Sequence, residues 1–153
     1  LLSETTKTSW QINSKVNMNL LEHLNDEMLL AQTPGGAVSV AQHFAHMIDA
    51  VRFWGCYFDE ARFSAIPDLS GGAEENRDIH KLRSSMEQRD TVALEASLIA
   101  TDKGGLPFDS IGTFLIHIVS HDAHHRGQIV LALKTSVFDL PGDDAIWSPW
   151  RGG

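Results

Sequence analysis

Four stretches in which apolar residues return every three or four positions, each closed by glycine and proline, restrict this chain to a helical fold. Over 5–30, Trp10, Ile12, Val16, Leu20, Leu24 and Met28 recur mostly at four-residue steps, as one face of a helix turned to a core requires. QTPGGA at 32–37 cannot continue that helix without a large penalty. Ser39 with Gln42 three residues on is a capping-box pattern, so a second helix is expected over 40–61. PDLSGGAE at 67–74 is turn-rich, and a third helix is expected over 76–100, its charged middle at 87–90 marking a kink or a break. TDKGGLP at 101–107 closes it, and Asp109 or Ser110 stands where a fourth helix over 111–134 needs its cap. The tail with Trp147 and Trp150 reads as irregular packing or a short turn of helix. No strand-like alternation stands out. The expectation is an all-α, four-helix bundle in which the short first loop pairs helices one and two in antiparallel fashion.

At 153 residues the chain fits one domain over 1–153, and a domain of that size buries roughly 68–70% of its unfolded surface without staples. The single cysteine, Cys56, excludes an internal disulfide, and no charged-then-apolar leader is visible at the start, so a reducing cytoplasm is expected. No apolar run approaches the roughly 20 residues that cross a bilayer, so no membrane association is expected. Twenty acidic against twelve basic side chains give a formal charge of −8, which repels phosphate backbones, so nucleic acid is not expected as a partner.

Within the fourth stretch, HIVSHDAHHRGQ at 117–128 gathers four of the eight histidines: His117, His121, His124 and His125. On a helix, side chains four apart sit one above the other, about 5–6 Å apart at Cβ. At 100° per residue, Phe114, Gln128 and Ala132 lie within about 20° of His121, so the face is part apolar and turns inward. His117 lies about 40° to one side, His125 about 40° to the other, and His124 about 60° off. Spacing alone does not choose between the pairs 117/121 and 121/125. Helix two carries two further imidazoles, His43 and His46, about 60° apart, and either can supply a third nitrogen. A lone histidine on such a face is an ordinary polar residue; two at ligand spacing, with more on a second helix, point to a metal site of three histidines with positions left open. A closed structural zinc site would want four protein ligands, usually with cysteine among them.

The remaining candidates are read more plainly. His23 and His80 have no companion at ligand spacing and are expected to be exposed or cap-like. Phe53, Trp54 and Tyr57 read first as core and second as a pocket wall. Arg126 is expected in an ion pair, Gly127 at a close helix approach, and Gln128 beside the histidines, where it can orient an imidazole or a water. Asp49, one turn from His46, is a weak candidate for a general base. No G-x-S-x-G, H-E-x-x-H, C-x-x-C or phosphate loop is present, and Cys56 among aromatics reads as a small hydrophobe.

The run H-x-x-x-H-R-G-Q at 121–128, preceded in helix two by Ala45-His46-Met47 with Trp54 eight residues on, resembles the DinB/YfiT-like superfamily. The resemblance spans nearly the whole chain in element order, and HHRGQ is its most specific part. It implies a four-helix bundle that pairs as a homodimer, with His46, His121 and His125 as ligands of a divalent metal, variously zinc, nickel or manganese. It leaves His43, His117 and His124 as neighbours. It further implies roles such as thiol-dependent S-transfer, in which a low-molecular-weight thiol of the bacillithiol or mycothiol type is added to a small-molecule electrophile, or related isomerase and hydrolase chemistry. The alternative is a non-catalytic metal-binding stress-response homodimer.

Overall fold

The structure, a computed structural model, describes residues 1–36, 38–71, 76–100 and 107–152. Four long helices carry it: α1 (Glu4–Glu22), α2 (Val40–Phe63), α3 (Ile79–Ile99) and α4 (Ile111–Thr135). A short α5 (Asp143–Trp147) and a final 3₁₀ turn (Ser148–Arg151) fold back onto α1. Among the described residues there is no strand. Each long helix starts at a residue whose side chain accepts from an otherwise unpartnered backbone N–H. Ser3, Asp78 and Ser110 do this for α1, α3 and α4. At α2 the full box forms: Ser39 Oγ accepts from the Gln42 amide while Gln42 Oε1 accepts from the Ser39 amide at 2.8 Å.

Helix α1 packs on α3 and α4, and α2 packs on the same two. The first two helices therefore stand across the bundle from one another and do not pair side by side as the short loop suggested. The chain crosses the bundle end instead, through residues 23–39 and a 3₁₀ turn (Met28–Leu30) that rests on α2. The helix expected over 5–30 accordingly stops at Glu22. Asn25 Oδ1 accepts from the Met28 amide and starts the new turn, and Arg83 donates to the carbonyls of Leu21, Glu22 and Leu24. Leu24 and Met28 are buried on both accounts, so apolar spacing could not reveal the break.

Two other expectations change. The third helix runs unbroken through 87–90, because Arg89 and Asp90 point inward and pair instead of disrupting it. Conversely, α2 bends at Asp59 (φ −152°, ψ 89°), whose carboxylate recaps the last turn through the Arg62 amide. The bend folds Phe63 onto Gly55, where an added Cβ would lie 1.9 Å from the ring. Close approach thus occurs at Gly55 and not at Gly127, where a Cβ would meet nothing within 4 Å. The break expected at 101–107 lies outside the described residues except for Pro107, as does part of the 67–74 connection.

The core is largely apolar, and its buried charges gather in one knot. Arg89, 0% exposed, donates to both oxygens of Asp122 at 3.0 and 2.9 Å, to Asp90 Oδ1 at 2.8 and 2.6 Å, and to the Met47 carbonyl at 3.1 Å. Asn13 and Asn17 of α1 donate to Asp122 Oδ2, and their own oxygens accept from Arg126 at 2.7 and 2.6 Å. Arg126, expected in an ion pair, thus meets two amides, with its guanidinium over the Trp147 ring. Residues of all four helices meet here. Burial raises the Asp90 carboxyl to about 6, Arg89 opposing it, whereas Arg89 and the amide donors hold Asp122 well below the usual carboxylate range against its desolvation.

Removing one partner from a buried pair strands the other, which typically costs about 3–5 kcal/mol, so Asp122→Asn is expected to destabilise by that order in urea unfolding at pH 7. Asp90 behaves differently. Its folded pKa lies above its unfolded one, so its contribution is full below about pH 4 and is lost as pH rises through about 6. Asp90→Asn should remove that downward slope when unfolding is measured from pH 4 to 7. Gly55→Ala should cost about 1–3 kcal/mol by overpacking against Phe63, while Gly127→Ala should gain up to about 1 kcal/mol; melting temperatures separate the two.

Candidate metal centre

The knot sits directly behind the histidines. Met47, whose carbonyl Arg89 holds, follows His46 in α2, and Asp122 follows His121 in α4, so the contact that locks these two helices also sets the height at which their imidazoles face each other. The ligand nitrogens of His46, His121 and His125 lie within 4.8 Å of one another. His46 Nε2 is 3.1 Å from His121 Nε2. Two nitrogens each about 2.0–2.1 Å from a tetrahedral ion lie about 3.3–3.4 Å apart, so the arrangement fits a divalent metal with little adjustment.

The electrostatics fit as well. Burial first, and then the neighbouring imidazoles, lower the pKa of His46, His43 and His125, the last to about 3. Those rings are therefore neutral near pH 7 and keep the lone pair that a ligand needs.

His43, which the resemblance left as a neighbour, has a defined place. It is buried, and its Nδ1 lies 2.9 Å from His125 Nδ1. That engages one nitrogen of His125 and leaves Nε2 for an ion. A hydrogen bond between two Nδ1 atoms needs one donor and one acceptor. A His125 whose Nε2 lone pair is used must therefore carry its proton on Nδ1 and donate it to His43. Behind His121, Asp122 Oδ1 stands 3.9 Å from Nδ1, too far for a hydrogen bond but close enough to bias the ring.

The other candidates fall around this centre. His124 is exposed, with its ring 5.1 Å from that of His125. His117 is exposed and lies against Phe108, 6.2 Å from His121. His23 bonds the Asn19 carbonyl at the end of α1, a cap-like place, and His80 is exposed. Gln128 is half-buried, and among the described residues it makes no hydrogen bond to the histidines. Beside His46 and His121 opens a cavity of about 380 Å³, lined also by Asp49, Ala50, Phe53, Trp54, His117 and Ile118. Asp49 accepts from the Leu69 amide at 2.9 Å, and burial pushes its carboxyl up. Sequence spacing missed Asn13, Asn17, Arg89, Asp90 and Asp122; the i,i+4 pairs Asn13/Asn17 and Asp122/Arg126 were the available signal.

A four-helix bundle with three convergent imidazoles beside a small cavity defines a class of helical proteins with a metal-competent pocket. Within that class the chain belongs to the DinB family, whose model matches residues 4–150. No curated protein and no solved structure matches it.

Zinc uptake should therefore depend on the three convergent rings. Replacing His46, His121 or His125 by alanine is expected to weaken it at least about 100-fold in a competition titration with a chromophoric chelator, while His124→Ala leaves it unchanged. His43→Leu should weaken it roughly 10–100-fold, as loss of a partner behind a ligand imidazole does.

Proposed function

We propose that the chain is a metal-dependent enzyme whose divalent ion, zinc, nickel or manganese, is held by His46, His121 and His125, and that it adds a low-molecular-weight thiol to a small-molecule electrophile. The observation that carries this reading is the convergence of three imidazoles, those of His46, His121 and His125, beside a cavity that holds a carboxylate. Three protein ligands leave a position for a further group, as catalytic sites do. When bound, the ion supplies Lewis-acid activation, lowering the pKa of a thiol or a water.

The chain's own residues have separate tasks. His43 fixes the tautomer of His125. Asp49, with its carboxyl pushed up by burial, is placed in the cavity wall to accept the proton that a thiol gives up. Cys56 is no rival nucleophile, because burial raises its thiol above the ordinary value. The attacking sulfur then comes from a second substrate. Hydrolysis, with water as the attacking group, uses the same residues. We read the functional unit as a homodimer, as the family resemblance implies, and place it in a reducing cytoplasm on the strength of the single cysteine. No helix among the described residues is long and apolar enough to cross a membrane.

Chelation decides between an enzyme and a stress-response protein in which the ion only ties α2 to α4. On the enzyme reading, stripping the metal abolishes thiol conjugation or hydrolysis across a substrate panel while far-ultraviolet circular dichroism is retained, and zinc, nickel or manganese restores turnover. A fall in melting temperature, with no metal-dependent turnover on any substrate, would establish the tie.

A further inference from the structure

The cavity beside the histidines has a chemical character of its own. Phe53 and Trp54, their ring centroids 4.8 Å apart and nearly perpendicular, line it from α2 together with Ala50, and His117 and Ile118 line it from α4. The aromatic surface continues beyond the cavity. Trp54 meets Tyr57 at 5.8 Å and Phe108 at 6.1 Å, and Phe108 meets the His117 ring at 5.0 Å. Phe53 is 57% exposed and Tyr57 56% exposed. Aromatic rings left open around a concave site of small-molecule size, roughly 300–1,000 Å³, are surface that a ligand covers.

The charge of the lining is equally selective. Among the described lining residues Asp49 is the only carboxylate, and there is no lysine or arginine. Arg52, one position before Phe53, is turned to Asp68 at 3.8 Å. Away from the position of the metal, a carboxylate or phosphate would face Asp49 with no cation among the described lining residues to receive it, and a desolvated anion without a partner is disfavoured. We propose that the electrophilic substrate of this site has a flat aromatic body that is itself neutral or cationic where it lies away from the metal, with Phe53 and Trp54 as the residues that select it. This rests on the metalloenzyme reading above and narrows it.

Binding of four probes tests the proposal: 2-naphthylmethylamine, 2-naphthylmethanol, 2-naphthoate and cyclohexylmethylamine. Each is titrated calorimetrically into protein freed of metal, so that direct coordination by naphthoate does not enter, and then into zinc-loaded protein. On metal-free protein the naphthyl amine and alcohol should bind about tenfold more tightly than naphthoate, and the naphthyl amine more tightly than its cyclohexyl counterpart. Phe53→Ala, at an exposed position, and Trp54→Leu should each weaken naphthyl binding roughly three- to tenfold while leaving zinc uptake intact. Asp49→Asn should narrow the gap between amine and carboxylate. Naphthoate binding as well as the amine, the cyclohexyl probe matching the naphthyl one, or no change on Phe53→Ala and Trp54→Leu overturns the substrate class. Wild-type protein that takes up none of zinc, nickel and manganese overturns the metalloenzyme reading instead.

Discussion

The Arg89–Asp122 pair is the contact on which the rest of the structure depends. A guanidinium and a carboxylate, both removed from water, are tolerable only when every donor and lone pair finds a partner, and the partners here come from all four helices. Apolar packing alone lets helices slide by a methyl group or rotate a few degrees at small cost. A bidentate charge pair does not. The bundle is therefore fixed in height at the level of residues 47, 89 and 122, and that is the level at which the histidines meet.

Fixing the helices there has a chemical consequence. Imidazoles on different helices approach to 3.1 Å and 2.9 Å, and two of them cannot both be protonated at that distance. The low pKa of His125 has burial as its first cause and the closeness of the neighbouring imidazoles as its second. In a looser bundle His43, His46 and His125 would solvate separately, regain their ordinary basicity and no longer converge on one point. His43 illustrates the point, since it reaches His125 only because α2 and α4 are held in register. Packing, protonation state and metal competence are thus one property seen at three scales.

Much of this was legible in the sequence, and the failures have physical reasons. Helix number, the cap at Ser39 and a gathering of imidazoles from α2 and α4 follow from spacing, because a helix converts sequence separation directly into angle; the particular set His46, His121 and His125 follows only from the family resemblance. Which helices touch does not follow from loop length, so α1 and α2 were paired when they lie diagonally. Polar residues at 87–90 looked like a break because burial of an arginine is rare unless it is paired, and the pairing partner sits 33 residues away on another helix. Gly127 looked like a contact and Gly55 did not, because only the bend at Asp59 brings Phe63 back. Tertiary pairing, not local propensity, decided each of these.

The fate of the cations links the fold to the site. Arg83 is spent on carbonyls past the end of α1, Arg89 on carboxylates within the core, and Arg126 on amides there. Arg52, Arg62 and Arg151 are each held by an aspartate. In a chain of charge −8 these commitments leave the cavity wall with a carboxylate and aromatic rings as its distinguishing groups. Among the described residues, a bound divalent ion would then be the one strong positive centre facing that space, so a group of a substrate that carries or develops negative charge is drawn to it, and the uncharged remainder is directed onto Phe53 and Trp54. Orientation of the substrate follows from the uneven distribution of charge that the bundle's own stability imposes.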